Sequence, residues 1–299
     1  VYDPACGTGG MLIEAIRHIH DDQMTYGRIY GQEKNLSTSA IAKMNLFLHG
    51  AHDFKISQGD TLRQPSFVEH GKLQTFNCVL ANPPFSLEKW GSAQFETDKY
   101  GRNLWGCPSD SSADFAWLQH MVKSMDQKSG KCAVVLPQGV LFHGGKGGKM
   151  REQLVESDLL ECVITLVSGV FYSTGVSACI LFLNNKKEVN HRGRVCLIDA
   201  ASIYTPQRAQ NIMTEDDIQK VYDLYTAYES KINYCKVVTK ENIREAGYTL
   251  SVGTYIEKTK QKIIPPTEVR RQYFEVVQRV RENESRLKKL LAKGGYINE

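Results

Sequence analysis

Phe76-Asn77-Cys78-Val79-Leu80-Ala81-Asn82-Pro83-Pro84-Phe85 is the stretch on which the reading of this chain turns. Residues 76–81 form a short apolar run of the length expected for a strand buried on both faces. Proline has no N–H to give a sheet ladder, so the strand ends where Pro83 and Pro84 begin. Asn82 then stands at the carboxyl end of a central strand, where open α/β sheets place their ligands. The two prolines stiffen the turn, aiming the Asn82 amide and the Pro83 carbonyl the same way, and Phe85 adds a flat apolar face. Paired acceptors beside a stacking surface suit a planar group with an exocyclic amine, such as an extruded nucleobase. A strand-ending turn with a core aromatic is the alternative reading of the same four residues.

Upstream, Asp3-Pro4-Ala5-Cys6-Gly7-Thr8-Gly9-Gly10 joins a strand end to a helix beginning near Met11. Gly7 and Gly9 let the backbone turn tightly and approach a ligand, and the helix start offers free N–H groups. No Gly-Lys-Ser/Thr follows, and no third glycine completes the dinucleotide fingerprint. With an acid at the strand tip, the loop can hold a ligand bearing an amine or sulfonium. A second strand, Arg28 to Glu33, ends in an acid where nucleotide-binding sheets receive ribose hydroxyls; a solvent-facing Glu is the alternative. Ser37 to Leu48 is a covering helix, and Phe54-Lys55-Ile56 leads to a third strand tip at Asp60. That acid can accept from an adenine amine or cap the following turn.

Downstream, residues 86–112 are irregular, with Trp90, Phe95, Tyr100 and Trp105, and are expected to form a DNA-facing lid. A helix over 114–125 and a buried strand over 132–137 follow. His143 to Lys149 reads as a glycine-rich basic surface loop, with phosphate contact as the alternative, before a helix over 151–156. The strands 162–166 and 178–183 are joined tightly by Gly169 to Gly175 and must be antiparallel, a hairpin expected at one edge of the sheet. Phe171 in that turn is either core or a second wall beside Phe85, and 194–199 reads as an edge strand. From Thr214 the pattern turns helical and polar, dividing the chain into an α/β domain (1–213) and a helical extension (214–299). Within the extension, Val269, Tyr273, Val276, Val280, Asn283, Leu287 and Leu290 step by four and three, a heptad seam for another helix. Packing back on its own domain is the alternative.

Composition narrows the classes. Hydrophobic content of 41% and charged content of 23% describe an ordinary globular chain. No run of about 18 apolar residues occurs, which excludes a transmembrane helix. Val1-Tyr2 is neither a signal peptide nor a natural start, and reads as a chain cut inside its first strand. The eight cysteines form no Cys-x-x-Cys, and Cys78, Cys132, Cys162, Cys179 and Cys196 sit in apolar runs. Neither a metal site nor a disulfide frame is expected, and the setting is a reducing cytoplasm. From Ile256 onward there are eleven Lys and Arg against six Glu, on a chain of net charge +4. The preceding body is therefore near neutral, which suggests an anionic partner near the tail.

In order along the chain, the glycine loop, the tips at Glu33 and Asp60, Asn-Pro-Pro-Phe and Gly-Val-Phe-Tyr-Ser-Thr-Gly-Val resemble the S-adenosylmethionine-dependent amino-methyltransferases of DNA. Val-Leu-Pro-Gln-Gly-Val-Leu-Phe (135–142), with the glycine-rich loop and Lys-Met-Arg after it, is similar to the methylation subunits of type I restriction-modification systems. The resemblance implies a Rossmann-like, class I methyltransferase fold: a doubly wound, mostly parallel sheet. It implies transfer of a methyl group to adenine N6, with the loop of Asp3, Pro4, Ala5, Gly7, Thr8 and Gly9 holding the methionine end of the cofactor. Glu33 would take the ribose and Asp60 the adenine amine. Asn82 and Pro83 would accept from the target amine, with Pro84 locking the turn, Phe85 stacking on the base and Phe171 closing the pocket. Double-stranded DNA, a specificity subunit and a restriction subunit are the implied partners. Family members also carry a helical N-terminal domain and a phenylalanine-bearing cofactor segment upstream, so this stretch is expected to be inactive alone. N4-cytosine, ribosomal RNA or a protein glutamine as the acceptor, and a non-catalytic DNA- or partner-binding scaffold, are the alternatives.

Overall fold

A nine-stranded mixed sheet organises the chain in the computed structural model, which describes residues 1–19, 29–171, 175–206, 211–259, 265–294 and 296. Its strands are β1 (Tyr2–Asp3), β2 (Ile29–Glu33), β3 (Phe54–Gln58), β4 (Cys78–Ala81), β5 (Lys131–Pro137), β6 (Leu160–Thr165), β7 (Ala178–Asn184), β8 (Arg194–Asp199) and β9 (Cys235–Thr239). The helices are α1 (Gly10–His18), α2 (Leu36–Leu48), α3 (Ser92–Glu96), α4 (Asp114–Lys123), α5 (Gly145–Glu156), α6 (Glu215–Ala227), α7 (Lys240–Glu245) and α8 (Pro266–Lys293). Across the sheet the order is β9-β8-β6-β7-β5-β4-β1-β2-β3. β7 runs antiparallel to both β5 and β6, and β9 antiparallel to β8; the other neighbours are parallel.

Side-chain alternation explains why helices cover both faces. On β8, Val195 and Leu197 join a core with Leu154 of α5 and Ile243 of α7, whereas Cys196 and Ile198 join one with Val221 of α6. At the other end, Leu12 and Ile13 of α1 and Ala42 and Leu46 of α2 bury against Ile29 and Ile56. The class expected from sequence, a doubly wound and mostly parallel sheet, is the one observed. Because β1 is flanked by β4 on one side and β2 on the other, the strand order reverses there. That reversal is the topological switch point at which such sheets bind ligands. β1 and β4 pair in parallel with Tyr2 opposite Val79, so the glycine loop and the Asn82 turn leave the sheet side by side.

Several expectations need correction. The 178–184 strand is antiparallel to the 160–165 strand as read, but the pair is not at an edge: β7 is inserted between β5 and β6. Likewise 194–199 is interior, because residues 235–239 add a further antiparallel strand outside it. For the same reason the division at 213/214 falls inside the first compact unit, which spans Val1–Glu257; the second spans Lys258–Glu299. The glycines of 145–148 do not form a loop but the first turn of α5, which starts six residues before the expected helix at Arg151. Residues 86–112 are irregular as read apart from the short α3, yet they are packed, burying Trp90 and Phe95 with Leu62 and Trp117. Buried Arg102 fixes this segment, pairing with Asp98 at 2.7 Å and donating to the Thr61 and Leu62 carbonyls. Arg28 and the turn residues 172–174 lie outside the described residues.

Candidate active site

Two loops meet at the switch point. The first leaves β1 with Gly7 at φ 53° and Gly9 at φ 87°, in the left-handed region where a Cβ is strained. Gly9 accordingly sits just before α1 as its cap. Glu33, at the tip of β2, holds the loop shut: one carboxylate oxygen accepts from the Gly7 N–H at 3.1 Å and the other from the Asn35 N–H at 2.7 Å. Asp3 accepts from the Ala5 N–H at 2.9 Å and is buried. Burial, with the nearby Glu33 charge adding to it, pushes its carboxyl up to about 7. Thr8 offers its carbonyl to Asn45 of α2, and the Pro4 carbonyl accepts from the buried Thr61 hydroxyl at 2.6 Å.

The second loop is Asn82-Pro83-Pro84-Phe85. Pro83 is buried, whereas Asn82 is exposed, and its amide bonds to no described residue. Phe85 and Phe171 meet edge-to-face, with ring centroids 6.2 Å apart at 83°. After Phe85 the chain enters a left-handed residue, Ser86, at φ 49°. Asp114, at the start of α4, steadies that conformation by accepting from the Ser86 N–H at 2.9 Å and the Ser112 hydroxyl at 2.9 Å. A non-glycine residue there costs on the order of 1 kcal/mol, so the turn after the motif is held by a long-range contact.

Between the loops lies a cavity of about 550 Å³, walled in part by Pro4, Ala5, Glu33, Asp60 and Pro84. Five sequence-predicted residues therefore share one wall. Asp3, Gly7, Thr8, Gly9, Asn82, Pro83, Phe85 and Phe171 do not line it. Asp60 is engaged on the protein side, pairing with Lys34 at 3.0 Å and capping the Arg63 N–H at 3.2 Å. Sequence reasoning missed Leu36, Thr61, Leu87 and Trp117 in the same wall. Leu36 was legible as the first apolar residue after a strand-tip acid, but Trp117 was not, because it reads as one more core position of α4. Its buried indole N–H finds no acceptor among the described residues. Apolar walls from Leu36, Pro84, Leu87 and Trp117, with two carboxylates at strand tips, suit a nucleoside-like ligand with a flat ring, hydroxyls and an amine.

These features coincide with a family. The chain belongs to the N-6 DNA Methylase family, whose sequence model matches residues 1–263. It is similar to the methylase subunit of the type I restriction enzyme MjaVII from Methanocaldococcus jannaschii, 33% identical over 273 residues, covering 88% of this chain and 46% of that one. Similarity to the HindI methylase subunit from Haemophilus influenzae is also 33% over 273 residues, covering 88% of this chain and 60% of the relative. Among solved structures, the methyltransferase subunit of a type I restriction-modification system from Streptococcus thermophilus matches with a TM-score of 0.78 at 32% identity, over 86% of this chain and 54% of that one. The chain thus spans about half the length of the relatives it matches.

Proposed function

We propose that this chain carries the methyl-transfer site of a type I modification subunit, moving a methyl group from S-adenosylmethionine to adenine N6 in DNA. The observation that carries the reading is the amide of exposed Asn82, which bonds to no described residue, at the switch point beside the Glu33–Asp60 cavity and the Phe85–Phe171 pair. The residues fit the cofactor: Glu33 suits ribose hydroxyls, Asp60 an adenine amine, and the walls of Leu36, Pro84, Leu87 and Trp117 the ring. When bound, S-adenosylmethionine supplies an electrophilic methyl on a sulfonium. Buried Asp3 beside the glycine loop would place a carboxylate near positive charge.

An aromatic amine is a poor nucleophile because its lone pair is delocalised into the ring. Asn82 Oδ1 and the Pro83 carbonyl, each accepting one N6–H, would favour a pyramidal nitrogen and return that lone pair. Phe85 would stack on the extruded base, with Phe171 set against it edge-on. As N6 takes the methyl and the bond from sulfur breaks, the surplus N6 proton would pass to solvent water, so pre-organised acceptors are enough without a general base. Removing one acceptor should cost on the order of 3 kcal/mol in the barrier, about 10²-fold in rate. Asn82→Ala in the assembled enzyme should therefore keep cofactor affinity and lose methyl transfer. Near-parental methylation of unmodified plasmid DNA by that variant rejects the assignment.

The partner reading rests on α8. Val269, Tyr273, Val276, Val280, Leu287 and Leu290 are each between 50% and 63% exposed along a helix of 28 residues. An apolar seam from Val269 to Leu290, about 32 Å long, suits a helix of a specificity subunit that selects the DNA sequence. A restriction subunit would join the same assembly.

A further inference from the structure

The segment 135–151, so far only a family likeness, builds a rigid aromatic projection. Val140 and Leu141 are buried, yet the next residue, Phe142, is 51% exposed. Hydrogen bonds to the Val140, Leu141 and His143 carbonyls fix the backbone on either side of it. Buried Arg151 donates to the carbonyls of Val140 at 3.0 Å, His143 at 2.8 Å and Tyr248 at 2.6 Å. The Leu250 N–H donates to the Leu141 carbonyl at 2.8 Å. His143 folds back over Gly139, where a Cβ would come within 2.7 Å of its ring, so a larger residue there would move the imidazole. The imidazole in turn props Phe142 edge-to-face at 4.8 Å and 86°. An exposed apolar ring with a buried arginine and a glycine spent on its orientation is a built contact surface.

Its setting says what it touches. Phe142 rims a cavity of about 760 Å³ lined also by Ser86, Asp114, Gln138, His143 and Lys146. Ser86 directly follows Phe85, so one wall of the cavity adjoins the proposed base site along the chain. Lys146 and Lys149 are exposed and pair with no carboxylate among the described residues. The one acid in this group, Asp114, is spent on Ser86 and Ser112. A fixed aromatic face next to unpaired cations is the combination that receives nucleic acid, base on ring and phosphate on ammonium.

We propose that Phe142, propped on His143, is a second DNA contact of this chain, stacking on the base step beside the extruded adenine while Lys146 meets the adjoining phosphate. The inference rests on the proposed function for its ligand. The test uses the full-length polypeptide assembled with its specificity partner, and reads binding of unmodified plasmid DNA across a salt series together with S-adenosylmethionine binding. Phe142→Ala should weaken DNA binding roughly tenfold, the scale of one lost stacking contact. Phe142→Trp should restore it, and neither should change cofactor affinity or the melting temperature. Lys146→Ala should reduce the slope of log affinity against log salt by about one unit. Parental DNA affinity in Phe142→Ala with a parental salt slope in Lys146→Ala overturns the proposal, as does loss of subunit assembly in place of DNA binding. Because binding is read apart from methyl transfer, a complex that binds through Phe142 but methylates nothing refutes the proposed activity and keeps the contact.

Discussion

Helices α4 and α8 both carry apolar residues at helical spacing, and they meet opposite fates. Eight of the ten residues of α4 are buried, including Phe115, Leu118 and Met121. None of the 28 residues of α8 is. Periodicity states that a face seeks a partner; it does not state whether the partner is the same fold or another chain. α4 lies against β5 and Val79 of β4, so its face is consumed at home, and its first residue, Asp114, also steadies the turn after Asn82. Along α8 the ion pairs are local, Arg271 meeting Glu268 at 2.6 Å and Glu275 at 2.7 Å.

The difference can be broken at four points. Arg102→Ala would leave Asp98 buried and unpaired and two carbonyls without donors, and should cost about 3–5 kcal/mol by denaturant titration. A near-parental midpoint would mean that residues 86–112 are not anchored as described. Leu118→Ala on α4 should cost about 2–5 kcal/mol, because the close-packed site cannot collapse around the void. If it costs less than the α8 changes below, the contrast between the two helices is wrong.

Charge follows burial in the same region. With the Asp3 carboxyl pushed up to about 7 from 3.8, the folded state holds a proton that the unfolded chain has lost. Asp3 therefore favours folding fully below pH 3.8, and that contribution disappears as pH rises towards about 7. In the cofactor role proposed for Asp3 its carboxylate faces positive charge, so S-adenosylmethionine affinity should rise about tenfold per pH unit below that value and then level off. Calorimetric titration of Asp3→Asn should give a flat profile; a profile that still rises removes Asp3 from the site. Smallest of all, Leu287→Lys with Leu290→Lys should move the stability of the chain itself by no more than about 0.5 kcal/mol. Those same changes should abolish association with a specificity subunit in co-purification. Retained association would assign the α8 seam to some other contact.

Much of the site could be read from local chemistry. The β4 end at Asn82 and the loop through Gly7 and Gly9 follow from what proline lacks and what glycine permits, within a few residues of chain. The acids Glu33 and Asp60 were found by their place at strand tips. Asp114, Arg102 and Arg151 were not found, because each acts on backbone 28, 40 or 97 positions away, and nothing in its own neighbourhood marks it. The insertion of β7 between β5 and β6 was missed for a related reason. A tight turn dictates that two strands are antiparallel, but not which third strand pairs on the other side.

By itself, then, the amino-acid order determined where strands stop, which backbone positions can turn left-handed, and which helix faces are apolar, since these depend on covalent geometry and short-range sterics. Only the tertiary structure decided that β1 and β4 are neighbours, so that Pro4 and Ala5 of the glycine loop and Pro84 of the Asn82 corner wall one cavity. It alone decided that 235–239 adds a ninth strand and that α4 is buried. Those outcomes depend on which distant apolar surfaces bury one another, and hydrophobic burial is non-directional until the whole chain is packed.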